Sequence, residues 1–169
     1  MNLAFDFSVD KKNNTITIKR EFDAELPLVW DAYTKSEFLD QWWGPKPWKA
    51  RTKLFDFREG GKWLYAMVGP NGEEHWAYSE YRNIQLQKKF TGIDGFSDAE
   101  GNIIKDMPQS KWSSSFASKG QSTLVTSLIE FDDVEQLEAM IRTGFKEGHT
   151  MALENLEALL PVLKARAKR

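Results

Sequence analysis

The chain has 169 residues, of which 41% are hydrophobic and 28% charged, a balance that suits one globular domain with its own core and excludes a disordered chain. Its 23 basic and 25 acidic residues leave a formal net charge of -2, too weak a field to attract nucleic acid or an anionic membrane. With no cysteine, disulfides, thiolate metal sites and a cysteine nucleophile are excluded.

The segment Met1-Asn-Leu-Ala-Phe-Asp-Phe7 lacks the basic and apolar regions of a signal peptide, and no stretch approaches the roughly 20 apolar residues of a membrane span. A cytoplasmic location without a membrane span is the expectation. Residues 1–12 read as an N-terminal extension to a single domain whose core covers about 13–163. The pattern Thr15 to Phe22, TITIKREF, predicts a first strand after a polar turn. Leu26, Val29, Trp30 and Tyr33 then recur at helical spacing behind Pro27, which suits a first helical turn. A second short helix, Glu37 to Trp42, follows, with Ser36 as its cap and Gly44-Pro45 as its stop.

From Trp48 to Phe131 the period changes to that of strands, predicted near 48–57, 61–68, 74–83, 86–93, 110–118 and 123–131. Gly60-Gly61 and Gly69-Pro-Asn-Gly72 are turns, Asn-Gly being a strong hairpin signal. The polar stretch Asp94 to Gln109 reads as a longer loop. Val134, Leu137, Ile141, Phe145, Ala152, Leu156, Leu159, Leu160 and Leu163 form the apolar stripe of a long C-terminal helix, with a kink or break at Thr143-Gly144. Lys164, Arg166, Lys168 and Arg169 make a basic tail over 164–169 that complements the helix macrodipole. The order predicts an α+β domain: a curved antiparallel sheet of six to seven strands around the terminal helix, two short helices after strand one, and a space between sheet and helix.

Five groups of residues carry a resemblance. They are Glu21-Phe-Asp-Ala-Glu-Leu-Pro-Leu-Val-Trp-Asp-Ala-Tyr-Thr34, Trp42-Trp43-Gly44-Pro45, Phe57-Arg-Glu-Gly60-Gly61-Lys-Trp63, Gly69-Pro-Asn-Gly72, and Gly144-Phe-Lys-Glu-Gly148 running into Leu153-Glu-Asn-Leu156. In this order and spacing the chain resembles the AHSA1-like (activator of Hsp90 ATPase homologue 1-like) family of the START/Bet v 1-like SRPBCC superfamily. The resemblance covers roughly residues 13–163 and implies the helix-grip fold. It does not extend to the co-chaperone's additional N-terminal domain, so Hsp90 activation is not carried over. His149 stands where relatives commonly place Trp, which implies a more polar final helix.

Strand alternation places Trp63, Tyr65 and Met67 on one face and Trp112, Ser114 and Phe116 on another. With Trp76, Tyr78 and Phe90 from the strands, and Ile141, Phe145 and His149 from the terminal helix, these are the candidate ligand-binding residues. For any single one of these aromatics, filling the core is the commoner role. His149 is the one weak candidate for proton transfer, alone or with Tyr65 or Tyr78. Ser113 and Ser115 point to water on a half-exposed strand. His75, beside Glu73 and Glu74, does not converge on a metal point along a strand. With no HExxH, P-loop or GxSxG pattern, no cofactor, no metal and no catalytic motif are expected.

The function these residues favour is binding of a small hydrophobic or aromatic ligand in an internal cavity. A cyclase- or hydrolase-type enzyme using the same cavity is the alternative, polyketide cyclase-like in kind. A stress or chaperone-associated interaction domain, meeting a partner through the 94–109 loop or the Trp42-Trp43 corner, is the third reading. A homodimer is compatible with the sequence, although no heptad or edge signature demands one.

Overall fold

A computed structural model describes residues 3–167; Lys168 and Arg169 of the basic tail lie outside the described residues. The chain begins with β1 (Phe5–Asp10) and β2 (Thr15–Phe22), then α1 (Leu26–Thr34) and α2 (Ser36–Trp42). Six strands follow: β3 (Lys49–Phe55), β4 (Lys62–Val68), β5 (Glu74–Gln85), β6 (Lys89–Ser97), β7 (Ser110–Lys119) and β8 (Ser122–Glu130). Two helices close the chain, α3 (Val134–Arg142) and α4 (Phe145–Ala167). All neighbouring strands pair antiparallel, in the order β1-β2-β8-β7-β6-β5-β4-β3. This is the α+β architecture expected, with eight strands rather than six or seven.

The additional strand is β1, inside the stretch read as an extension. Five of its six residues are exposed, so it carries no buried-face alternation; it is held by backbone pairing with β2 from Phe5 opposite Arg20 to Asp10 opposite Thr15, with Phe7 alone packed inward against Phe145 at 6.1 Å. The second difference is the length of β6, which runs on to Ser97 where a loop was expected from Asp94. The third concerns the α2 start: Lys35 is its N-cap and Ser36 its first residue, with no side-chain cap. The C-terminal helix is two helices, because Gly144 adopts φ +85°, a left-handed conformation that a residue with a Cβ resists. Asp133 caps α3 by accepting from the Gln136 amide at 2.9 Å.

The core lies between the concave face of the sheet and the helices. Leu153, Leu156, Leu160 and Leu163 of α4 are buried against a cluster that includes Ile16, Ile18, Val125 and Ile129 of β2 and β8. Trp30, Tyr33, Leu39 and Trp42 of α1 and α2 plug one end. Each Leu so buried contributes on the order of 2 kcal/mol from apolar area removed from water. At the other end the packing is incomplete, where α3 meets α4 over β4 to β7.

Candidate functional site

The gap at that end is a cavity of about 240 Å³. An inner lobe of about 40 Å³ adjoins it and shares Trp43, Asp94, Trp112 and His149. Met140, Thr143 and Gly144 border the outer cavity from the break between the two last helices.

One wall is built by the Trp42-Trp43-Gly44-Pro45 corner. The buried Trp42 indole donates to the Ala32 carbonyl at 2.9 Å, and the Asn155 amide on α4 donates to the Gly44 carbonyl at 2.9 Å. Held in this way, Trp43 turns its indole inward and donates to the Tyr65 hydroxyl at 3.0 Å. Tyr65 stacks on Trp63 with centroids 4.1 Å apart. The Trp63 indole donates to Thr52 Oγ1, which donates in turn to Asp40 Oδ1 at 2.6 Å. Both indole N–H groups of this wall are therefore satisfied inside the protein.

His149 enters from α4 into an aromatic cage. It stacks on Phe145 at 5.2 Å and meets Trp43 at 5.7 Å and Trp112 at 5.9 Å. Burial pushes its pKa down to about 4, so the imidazole is neutral at neutral pH.

The floor is polar and comes from strand register. Asp94 on β6 lies opposite Ser79 on β5 and opposite Ser110 on β7, so the three form one row across the sheet. Asp94 is half-buried by its own surface, yet loss of bulk water pushes its pKa up to about 7, with the Ser79 hydroxyl holding it below what burial alone would give. Ser110 is 4% exposed and its Oγ has no hydrogen-bond partner within the protein. Burial raises the Tyr65 hydroxyl, and the negative charge of Asp94 raises it further. A desolvated carboxyl, an unpaired hydroxyl and a neutral imidazole thus border one aromatic-walled space.

Of the candidate residues, Tyr65, Met67, Tyr78, Trp112, Phe145 and His149 border the outer cavity. Trp63, Phe90 and Ser114 border the inner lobe. Tyr78 alternates with Ala77 and Ser79 on β5 and lays its ring against Gly95. The remaining three stand elsewhere. Phe116 is packed against Trp30 and Tyr33 with centroids at 5.0 and 5.3 Å, Trp76 lies beneath Arg51 and Lys53, and Ile141 borders neither space, packing partly buried against the core. His75 rests on Trp48 at 5.3 Å, and no cluster of three or more His, Cys, Asp or Glu that could hold a metal occurs among the described residues. No helix there is long and apolar enough to cross a membrane.

Sequence reasoning missed Asp94, Ser110 and the inward turn of Trp43. Period-two counting from Phe90 through Gly92 and Asp94, and back from Ser114 through Trp112 to Ser110, puts both polar residues on the inner face. The Asp94-Gly95 pair, with its ordinary meaning of a turn, masked that signal.

The model of the family described as Activator of Hsp90 ATPase homolog 1-like protein matches residues 23–161. The chain belongs to this family. The matched span takes in every residue bordering the two spaces, so the site is built wholly from the AHSA1-like domain. A crystal structure of a Mycobacterium smegmatis protein is similar at 30% identity, covering 94% of this chain and 97% of that one with a TM-score of 0.86. A solution structure from Arthrobacter aurescens is similar at 28% identity, covering 92% and 91%, with a TM-score of 0.87. Another from Staphylococcus epidermidis, at 28% identity, covers 91% and 93% with a TM-score of 0.79. No curated protein matches the chain. These likenesses give the AHSA1-like chain the START/Bet v 1-like fold and leave its ligand to be argued from the site.

Proposed function

We propose that the protein binds a small hydrophobic or aromatic molecule in the cavity between the sheet and the α3–α4 junction. The observation that carries this reading is a space of about 240 Å³ walled by Trp43, Tyr65, Trp112 and Phe145, with a few polar groups at one side. Apolar walls with sparse convergent polar groups are the general form of small-molecule sites. A cavity of roughly 150 Å³ holds a benzene ring, so this one suits a molecule of one or two fused rings. The unpaired Ser110 hydroxyl supports the reading further, since a buried donor without a partner costs about 1–3 kcal/mol that a bound molecule or water recovers.

The test is native mass spectrometry of the purified protein beside a tryptophan-fluorescence titration against one- and two-ring aromatic alcohols, acids and amines, flavonoids and fatty acids. A retained mass, or saturable quenching from Trp43, Trp63 and Trp112, supports the reading. A folded protein silent across the panel removes it and moves the weight to partner binding.

A second reading is an enzyme of the cyclase or hydrolase type. Asp94 favours it, because a carboxyl with a pKa near 7 exchanges protons at neutral pH. Under this reading Asp94→Asn keeps ligand affinity and loses turnover of the bound compound.

A further inference from the structure

The two spaces share one ionisable group that can carry charge at neutral pH without an internal counter-charge. None of their bordering residues is Lys or Arg. The titratable groups around Asp94 are the Tyr65 phenol from β4, the Tyr78 and Tyr81 phenols from β5 with Glu80 beyond, and His149 from α4. Burial holds the phenols in their neutral form and the imidazole in its uncharged form, so none is a cation near pH 7. Beside Asp94, in the same sheet row, the Ser110 hydroxyl is buried and unpaired.

We infer that this cavity selects hydrophobic amines, the protonated nitrogen pairing with the Asp94 carboxylate and donating to Ser110 Oγ while the ring system lies among Trp43, Trp112 and Tyr65. The inference rests on the reading of the cavity as a binding site and narrows its ligand class. Three features converge on it. A carboxylate in an apolar space gains most from a ligand that brings the missing positive charge. Aromatic faces on the walls attract an ammonium that passes them. The same arrangement disfavours fatty acids and other carboxylates, whose charge would face that of Asp94 with no cation between them.

The amine stays protonated up to pH 8, so ionisation of Asp94 governs the pH dependence of binding. Affinity for an amine rises from pH 6 to pH 8, while affinity for a neutral analogue stays level.

The experiment is isothermal titration calorimetry of the full chain with three probes of similar shape: 2-naphthylmethylamine, 2-naphthylmethanol and 2-naphthoate. At pH 8 the amine is expected to bind about tenfold more tightly than the alcohol, since a charge-assisted pair is stronger than a neutral hydrogen bond, with naphthoate weakest. Asp94→Asn, checked for its fold by circular dichroism, should bring amine and alcohol to equal affinity. Equal binding of amine and alcohol by the unaltered protein, or tighter binding of naphthoate, overturns the amine assignment and leaves the binding-site reading standing. Binding of none of the three overturns the amine assignment too, and the binding-site reading then stands or falls on the native mass spectrum.

Discussion

Asp94 and His149 pull the pH dependence of stability in opposite directions, and separating them tests the electrostatics of the cavity. The folded Asp94 holds its proton up to about pH 7 against an ordinary value of 3.8. Its contribution to stability is therefore full below about pH 4 and lost as the pH rises through 7. The folded His149 gives up its proton near 4 rather than 6.5, so its contribution is full above pH 6.5 and lost as the pH falls towards 4. At about 1.4 kcal/mol per pKa unit the two ranges amount to roughly 4 and 3 kcal/mol. Asp94 keeps part of its surface toward the cavity, and water there reduces its share to about 2 kcal/mol. Between pH 4 and 6.5 the two slopes oppose each other in the unaltered protein, Asp94 offsetting about half of the His149 contribution. In the difference from the unaltered protein, Asp94→Asn should therefore climb by about 2 kcal/mol between pH 4 and pH 7, and His149→Gln should fall by roughly 3 kcal/mol between pH 4 and pH 6.5. Urea unfolding at half-unit pH steps, read as differences from the unaltered protein, cancels the contributions of all other carboxylates. Difference profiles that are flat in both variants would refute the desolvation argument for both groups.

The remaining predictions concern the frame around the cavity. Trp42 is fully buried and its indole is bonded to Ala32, so Trp42→Ala should lower stability by about 3–5 kcal/mol in denaturant unfolding. Gly144→Ala meets no atom within 4 Å of the added carbon; the cost is backbone strain alone, about 1 kcal/mol or a fall in Tm of roughly 2–4 °C by calorimetry.

The fold was legible where burial alternates with exposure. Ile16, Ile18 and Phe22 of β2, and Val29, Trp30 and Tyr33 of α1, show their periods because one face of each element is buried. β1 was invisible for the converse reason: as an edge strand with Phe5 and Val9 each 41% exposed, it is stabilised mainly by main-chain bonds, and the one inward residue, Phe7, is too little to set a period. The end of β6 was hidden by its glycines. A Cβ on Gly92 would come within 2.7 Å of the Glu80 carbonyl, and one on Gly95 within 2.8 Å of the Tyr78 ring. Both are close approaches between neighbouring strands and not turns. Reading Asp94-Gly95 as the start of a loop removed Asp94 from the sheet and so from the site. Trp76 was included among the ligand residues because aromatic content alone does not say which face of a strand is inward.

The strand order also governs how the protein emerges from the ribosome. β2 pairs with β8, Phe22 opposite Thr123 and Thr15 opposite Glu130, so its inner edge waits unpaired until about a hundred more residues have been synthesised. The strands from β3 to β7 each pair with the next in line and can assemble as they appear, whereas the β1–β2 hairpin joins them only once β8 is out. During translation the nascent chain therefore carries an open strand edge beside Ile16, Ile18 and Phe22, the stretch where a holding chaperone would act to greatest effect.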